Sequence, residues 1–146
     1  MANSYFAGSV WCNIDIALRR IEPVYRLEAQ TFGLSVIEWY VLRALYEQDG
    51  QMPSRLAEAV GRPATSFTPI LDEIEHKGFI ERRQHTSDRR AIKIHLTAQG
   101  KALEEQVKVG AERLEKRVHL KLFEKDLRGF EVVMTDLQAM TRWTTK

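Results

Sequence analysis

The sequence predicts a mainly α-helical chain into which one short β-hairpin is inserted, and three observations carry that expectation. Ser54 to Leu71 reads as two short helices joined through Gly61-Arg62-Pro63, the tight turn of a crossed helix pair. Ile92, Ile94 and Leu96 alternate with Lys93 and His95, a period of two that marks a strand with one buried face. Apolar residues recur at helical spacing near both ends of the chain.

In chain order, Val10, Ile14, Ala17, Leu18, Ile21, Val24 and Tyr25 form the stripe of a first helix, which Pro23 is expected to kink or break. Ser35 with Glu38 three residues on is the start signal of a second helix. Its residues Val36, Ile37, Trp39, Tyr40, Val41, Leu42 and Leu45 are apolar nearly all round, so it is central and buried, and Asp49-Gly50 ends it in a turn. Two short helices are expected at about 53–60 and 63–77. Between them Ala57 permits close approach, and Gly61 supplies the left-handed residue that closes the first. Leu56, Val60, Phe67 and Ile70 fill the wedge, and Phe67, Ile70, Leu71 and Ile74 bury one face of the second. Because Pro69 lacks an N–H, regular helix should begin near Thr65.

Phe79–Arg83 and Ala91–Leu96, joined by His85-Thr86-Ser87-Asp88, make the hairpin. Thr97 caps a long helix carrying Leu103, Val107, Leu114, Val118 and Leu122, and a final helix carries Leu127, Phe130, Met134 and Leu137 at near-heptad spacing. The order is that of a winged helix-turn-helix with a two-stranded wing and additional helices at both ends. The 146 residues suit a single domain: a DNA-binding lobe at about 34–100, flanked by association helices at about 8–32 and 101–144. The end stripes exceed what a thin winged lobe can cover, so Val10, Ile14, Leu18 and Ile21 are expected to meet Leu127, Phe130, Met134 and Leu137 in a two-fold homodimer.

With 29% charged and 44% hydrophobic residues the composition is that of an ordinary globular protein. No apolar run approaches the roughly 20 residues that cross a bilayer, and no basic-then-apolar leader is present, so no membrane partner is expected. A single cysteine fits a reducing cytosol, and the expected location is cytoplasmic. The net charge of +2 is unevenly spread: residues 1–50 carry −2, 51–101 carry +3 and 102–146 carry +1. Within 82–93, Arg82, Arg83, Arg89, Arg90 and Lys93 face Asp88 alone, the footprint of phosphate binding or of a solvated charge run.

Motifs favour the first. Arg62, Ala64, Thr65, Ser66, Thr68 and Pro69, short or polar at the exposed start of the second short helix, suit the bases and phosphates of double-stranded DNA. Thr65 and Ser66 also fit a capping role, which is compatible with contact. At the wing tip Arg89 and Arg90 suit the negative potential of a narrow minor groove, and Asp88 is read as the ion-pair partner that orients Arg90. No phosphate loop, nucleophile elbow or paired-histidine motif points to an enzyme. His76, His85, His95 and His119 are scattered, so no metal or cofactor is expected, with a zinc-responsive use of His119 and nearby acids kept as an alternative.

The stretches Leu56-Ala57-Glu58, Thr68-Pro69-Ile70-Leu71-Asp72-Glu73 through Arg82, Asp88-Arg89-Arg90 and Leu96-Thr97-Ala98-Gln99-Gly100 resemble the MarR-type (multiple antibiotic resistance regulator) family. The aspartate–any–arginine of the wing, followed by a strand, Leu-Thr and Gly, is the most specific part. The resemblance implies an obligate dimer, a ligand-responsive repressor on a pseudo-palindromic operator, a recognition helix at about 63–77 holding Thr65, Ser66 and Thr68, and a wing pair of Asp88 and Arg90. It also implies an effector crevice between the association and DNA-binding regions. For a small aromatic or phenolic effector, Trp11, Trp39, Tyr40 and Arg43 are the candidate lining, although Trp39 and Tyr40 also read as core. Some relatives sense organic peroxides through a cysteine of the N-terminal helix. Cys12 is the candidate here, but Ile16 stands where a tyrosine would be expected, and a small buried hydrophobe is the other reading.

Overall fold

The computed structural model describes residues 7–84, 87 and 91–140. The chain divides into two compact units, residues 1–110 and 111–146.

The first unit opens with α1, Val10–Gln30, capped by the Ser9 hydroxyl, which accepts the Cys12 N–H at 3.3 Å. Pro23 lies inside this helix and does not end it, contrary to the break offered as one expectation. α2, Val36–Glu47, starts with the expected capping box: the Glu38 carboxylate accepts the Ser35 N–H at 2.7 Å and the Ser35 hydroxyl accepts the Glu38 N–H at 3.3 Å. α3 is Pro53–Ala59 and α4 is Thr68–His76, with a 3-10 turn, Ala64–Ser66, between them.

The wing strands β1, Ile80–Gln84, and β2, Ile92–Leu96, pair antiparallel, with Ile80 opposite Leu96 and Gln84 opposite Ile92. Ile94 and Leu96 are buried, but Ile92 is exposed because it sits at the open end of the ladder, where the core no longer reaches. The Ile94 N–H also donates to the Gln51 carbonyl at 2.8 Å, and the Leu96 N–H to the Asp49 carboxylate at 2.8 Å. The turn after α2 is thereby stitched to the wing.

Thr97 caps the next helix as expected, its hydroxyl accepting the Gly100 N–H at 3.0 Å and donating to the Gly78 carbonyl at 2.6 Å. The single long helix expected after it is instead α5, Ala98–Ala102, and α6, Glu104–His119. Leu103 between them keeps right-handed helical dihedrals, so the interruption is one residue deep.

The core of this unit is what the sequence stripes describe. Trp39, Leu42 and Leu45 of α2, Leu56 of α3, Phe67, Leu71 and Ile74 before and along α4, Ile80 and Ile94 of the wing and Val107 of α6 are all fully buried. Each such aliphatic or phenyl side chain contributes about 1.5–3 kcal/mol by leaving water. The α3–α4 wedge is filled by Leu56 and Phe67, while Ile70 and Val60 are half-buried at its rim. α7, Glu124–Ala139, belongs to the second unit and exposes Phe130, Val132 and Val133. Among the described residues no helix is long and apolar enough to cross a membrane.

Candidate nucleic-acid interface

The turn between α3 and α4 is set by one backbone conformation. Gly61 has φ of +64°, and behind it the Arg62 N–H donates to the Ala57 carbonyl at 2.8 Å while the Gly61 N–H donates to Glu58 at 3.1 Å. These are the two bonds of a Schellman motif, which stops α3 and turns the chain outward. Arg62 follows, then Pro63 in extended backbone, then the 3-10 turn.

Regular helix begins at Thr68, three residues later than expected. Pro69 is comfortable there for the same reason, since the first turn of a helix has no use for its missing N–H. Thr65 and Ser66 do not cap α4, whose start carries no side-chain cap; the Ser66 hydroxyl donates to the Pro63 carbonyl at 3.2 Å instead. The outcome is a row of exposed residues, Arg62, Ala64, Thr65, Ser66, Thr68 and Pro69, interrupted by the buried Phe67. Phe67, Leu71 and Ile74 anchor this segment to the core and leave the row facing away from it. Thr65, Ser66 and Thr68 thus set three small hydroxyl side chains on the outer side of the 3-10 turn and the start of α4.

The wing meets this segment through Arg82. Its guanidinium bonds the Glu75 carboxylate and also Asp72 at 2.6 Å, and its N–H donates to Glu75 at 3.0 Å. Arg83 bonds Glu81 beside it. Two of the four arginines counted as positive footprint in 82–93 therefore have internal carboxylate partners, and the net field of that segment is weaker than its sequence charge. Lys93 stands opposite Arg83 in the strand register. Asp88, Arg89 and Arg90 lie outside the described residues.

The other candidate residues are dispersed. Trp39 is 1% exposed, its ring 6.3 Å from Tyr25 and 6.1 Å from Phe32, which assigns it to the core. Tyr40 is partly exposed; burial pushes its phenol pKa up, with nearby Arg43 opposing the shift. Arg43 is exposed on the same helix and Trp11 is 79% exposed on the first turn of α1. Cys12 is half-buried beside it. His95 lies 3.6 Å from Asp49 and against Gly50, and among the described residues no cluster of three or more His, Cys, Asp or Glu could hold a metal ion.

A cavity of about 600 Å³ opens between the C-terminal half of α1, the start of α2 and the Gly61 turn. Of the four effector candidates Tyr40 lines it, together with Arg62, read from the sequence as a DNA contact, and with Arg26 and Lys77, to which sequence reasoning gave no role. These cations come from three separate stretches of the chain, and no local pattern joins them.

Residues 34–92, the span from the α2 capping turn to the start of β2, match the model of the MarR family. This segment is a MarR-family domain. Its relatives include the HTH-type transcriptional repressor YetL of Bacillus subtilis, 38% identical over 76 residues that cover 51% of this chain and 46% of YetL. The transcriptional repressor MprA of Escherichia coli is 35% identical over 74 residues, covering 51% and 42%. The chain thus spans about half the length of these curated relatives.

The fold likeness runs further than the sequence likeness. A structure of Bordetella bronchiseptica BpsR, concerned with regulation of its DNA binding by 6-hydroxynicotinic acid, superposes with a TM-score of 0.82 at 17% identity. It covers 93% of this chain and 97% of BpsR. Reduced AbfR bound to DNA gives 0.72 at 20% identity, covering 90% and 91%. At such identities the likeness shows the winged helix-turn-helix fold with its flanking helices, and the MarR-type domain sits inside it.

Proposed function

We propose that the chain is a sequence-specific DNA-binding transcriptional regulator that acts as a homodimer on a pseudo-palindromic operator. The observation that carries this reading is the exposed row Arg62 to Pro69, held outward by the buried Phe67, Leu71 and Ile74 in a MarR-type domain. Short polar side chains there approach base edges in the major groove, and Arg62 approaches a phosphate. The relatives named repressors support repression by operator occupancy. The wing residues Asp88, Arg89 and Arg90 extend the contact into the minor groove, with Arg90 inserting and Asp88 orienting it.

Dimerisation is supported by apolar surface that a single chain leaves in water. On α1, Val10, Leu18 and Leu27 are at least 60% exposed, and on α7, Phe130 and Val132 are about as open. Apolar surface of that extent on two helices marks an association face. A two-fold dimer sets two α4 helices into successive major grooves about 10 base pairs apart. A small effector then acts by changing how well both heads dock at once.

Selection from a random duplex pool tests the reading. Enrichment of a two-fold sequence whose half-sites lie roughly one helical turn apart supports it. Enrichment without sequence preference overturns it. Sedimentation of the same preparation decides the assembly, and a stable monomer at micromolar concentration removes the dimer.

A further inference from the structure

We propose that the α4 segment tells bases apart by methyl contact, and that thymine sets the half-site it reads, through the apolar groups of Ala64, Thr65, Thr68 and Pro69. The inference rests on the DNA-binding reading given above and names what that site reads.

The segment decides this as much by what it lacks as by what it offers. From Pro63 to His76 the sequence holds no Arg, Lys, Asn or Gln. Those are the side chains that grip guanine or adenine with paired hydrogen bonds in the major groove, the main source of direct base discrimination there. Arg62, on the turn before, is the nearest long donor, and it is the residue read above as a phosphate contact. On the exposed face of α4, Asp72 is bonded to Arg82 at 2.6 Å and Glu73 lies 4.0 Å from Lys77. His76 ends the helix, about two turns beyond Thr68.

Hydroxyls and apolar groups remain at the start of the segment. A hydroxyl both donates and accepts, so by itself it meets any base edge, and that of Ser66 is already turned to the Pro63 carbonyl at 3.2 Å. The apolar groups are the Ala64, Thr65 and Thr68 methyls and the Pro69 ring, all on exposed residues. Only one base displays an apolar group in the major groove, thymine with its C5 methyl. A methyl against it gains by leaving water, whereas a methyl against the cytosine amino group leaves a donor without a partner. Placement is rigid as well. Ala64, Thr65 and Thr68 extend at most one bond beyond Cβ, threonine rotamers are few, and the buried Phe67 holds the backbone between them. Side chains that short reach a base from one backbone position only, so each contact selects position as well as identity.

The test takes the duplex recovered from the random pool and replaces thymine by uracil at one symmetric pair of positions at a time. Uracil pairs with adenine as thymine does and lacks only the C5 methyl. At one or more positions of the half-site uracil should weaken binding by the native protein about fourfold per methyl, and so about tenfold or more for the pair. Thr68→Ser removes the side-chain methyl and keeps the hydroxyl. It should bind the thymine duplex more weakly and lose its response to uracil at one of those positions. Thr68→Val keeps the methyl and should keep that response. Uracil throughout the half-site with no loss of affinity overturns the inference, and so does an unchanged response of Thr68→Ser at every position. Discrimination confined to guanine and lost in Arg62→Gln overturns it in favour of an arginine contact. Enrichment of no sequence removes the DNA-binding reading and this inference with it, whereas enrichment without uracil sensitivity removes the methyl reading alone.

Discussion

Arg82 of β1 spans to Asp72 of α4 at 2.6 Å while its second guanidinium nitrogen bonds Glu75 one turn further along the same helix. One arginine thereby fixes the wing against the helix read as the DNA-reading element and offsets the charge of two of that helix's acids. The arginine side chain is 26% exposed but that of Asp72 is 60%, so solvent screens part of the attraction and the pair is worth no more than a good surface ion pair.

A double-mutant cycle on Arg82→Ala and Asp72→Ala should therefore be non-additive. Each single change is expected to lower unfolding free energy by about 1 kcal/mol, and the coupling should fall near 0.5–1.5 kcal/mol. Urea denaturation of the four proteins measures it. Strict additivity would mean that the bond contributes nothing to the docking of wing on helix.

The two kinds of DNA contact proposed above should separate in their salt dependence. Arg90→Ala is expected to make the slope of log affinity against log salt shallower by roughly 2 per dimer. Asp88→Ala should reproduce part of that loss, since it frees the arginine without removing it. Thr68→Ala should keep the slope and relax discrimination at one base position per half-site by ~1–3 kcal/mol. Competition titrations over a salt series measure all three, and an unchanged slope in a folded Arg90→Ala protein would remove the wing from the interface.

Two glycines should respond to alanine for different reasons. At Gly61 nothing lies within 4 Å of an added Cβ, so the cost is the left-handed backbone alone, about 1–2 kcal/mol. At Gly100 the added Cβ would overlap the Phe79 carbonyl oxygen, and the strand-to-helix packing must shift, costing about 1–3 kcal/mol or more. Gly61→Asn should recover part of the first loss, because asparagine tolerates that backbone, and Gly100→Asn should recover none of the second. Thermal or urea unfolding of the four variants distinguishes the two causes.

Tyr46 supplies a pH dependence of known sign. Its hydroxyl donates to the Gly100 carbonyl at 2.9 Å, and burial, with the Glu104 charge second, pushes its pKa up to about 12 from 10.0. The folded chain thus holds this proton more tightly than the unfolded chain. Its contribution is complete below pH 10.0 and is lost as pH rises toward 12. Unfolding free energy measured across that interval should fall more steeply for the native protein than for Tyr46→Phe. Parallel curves would count against the assignment.

Much of this molecule is written locally in its sequence. The Ser35–Glu38 capping box, the left-handed Gly61, the Thr97 cap and the period-two alternation up to Leu96 each depend on residues a few positions apart, where backbone geometry dictates who meets whom. Hydrophobic spacing likewise announced that Phe67, Leu71 and Ile74 turn inward, and hence that Thr65, Ser66 and Thr68 turn out. The start of α4 lies three residues beyond the sequence expectation because a 3-10 turn and an α-turn place the same apolar residue inward, so spacing does not distinguish them. Periodicity says which face is buried but not what it is buried against. The tie of Lys77 to Glu38, 39 positions apart, the clamp of Arg82 on Asp72, and the cavity that gathers Arg26, Arg62 and Lys77 follow from how whole elements dock. An ion pair or a cavity depends on distances between elements, and those exist only once the core has set them.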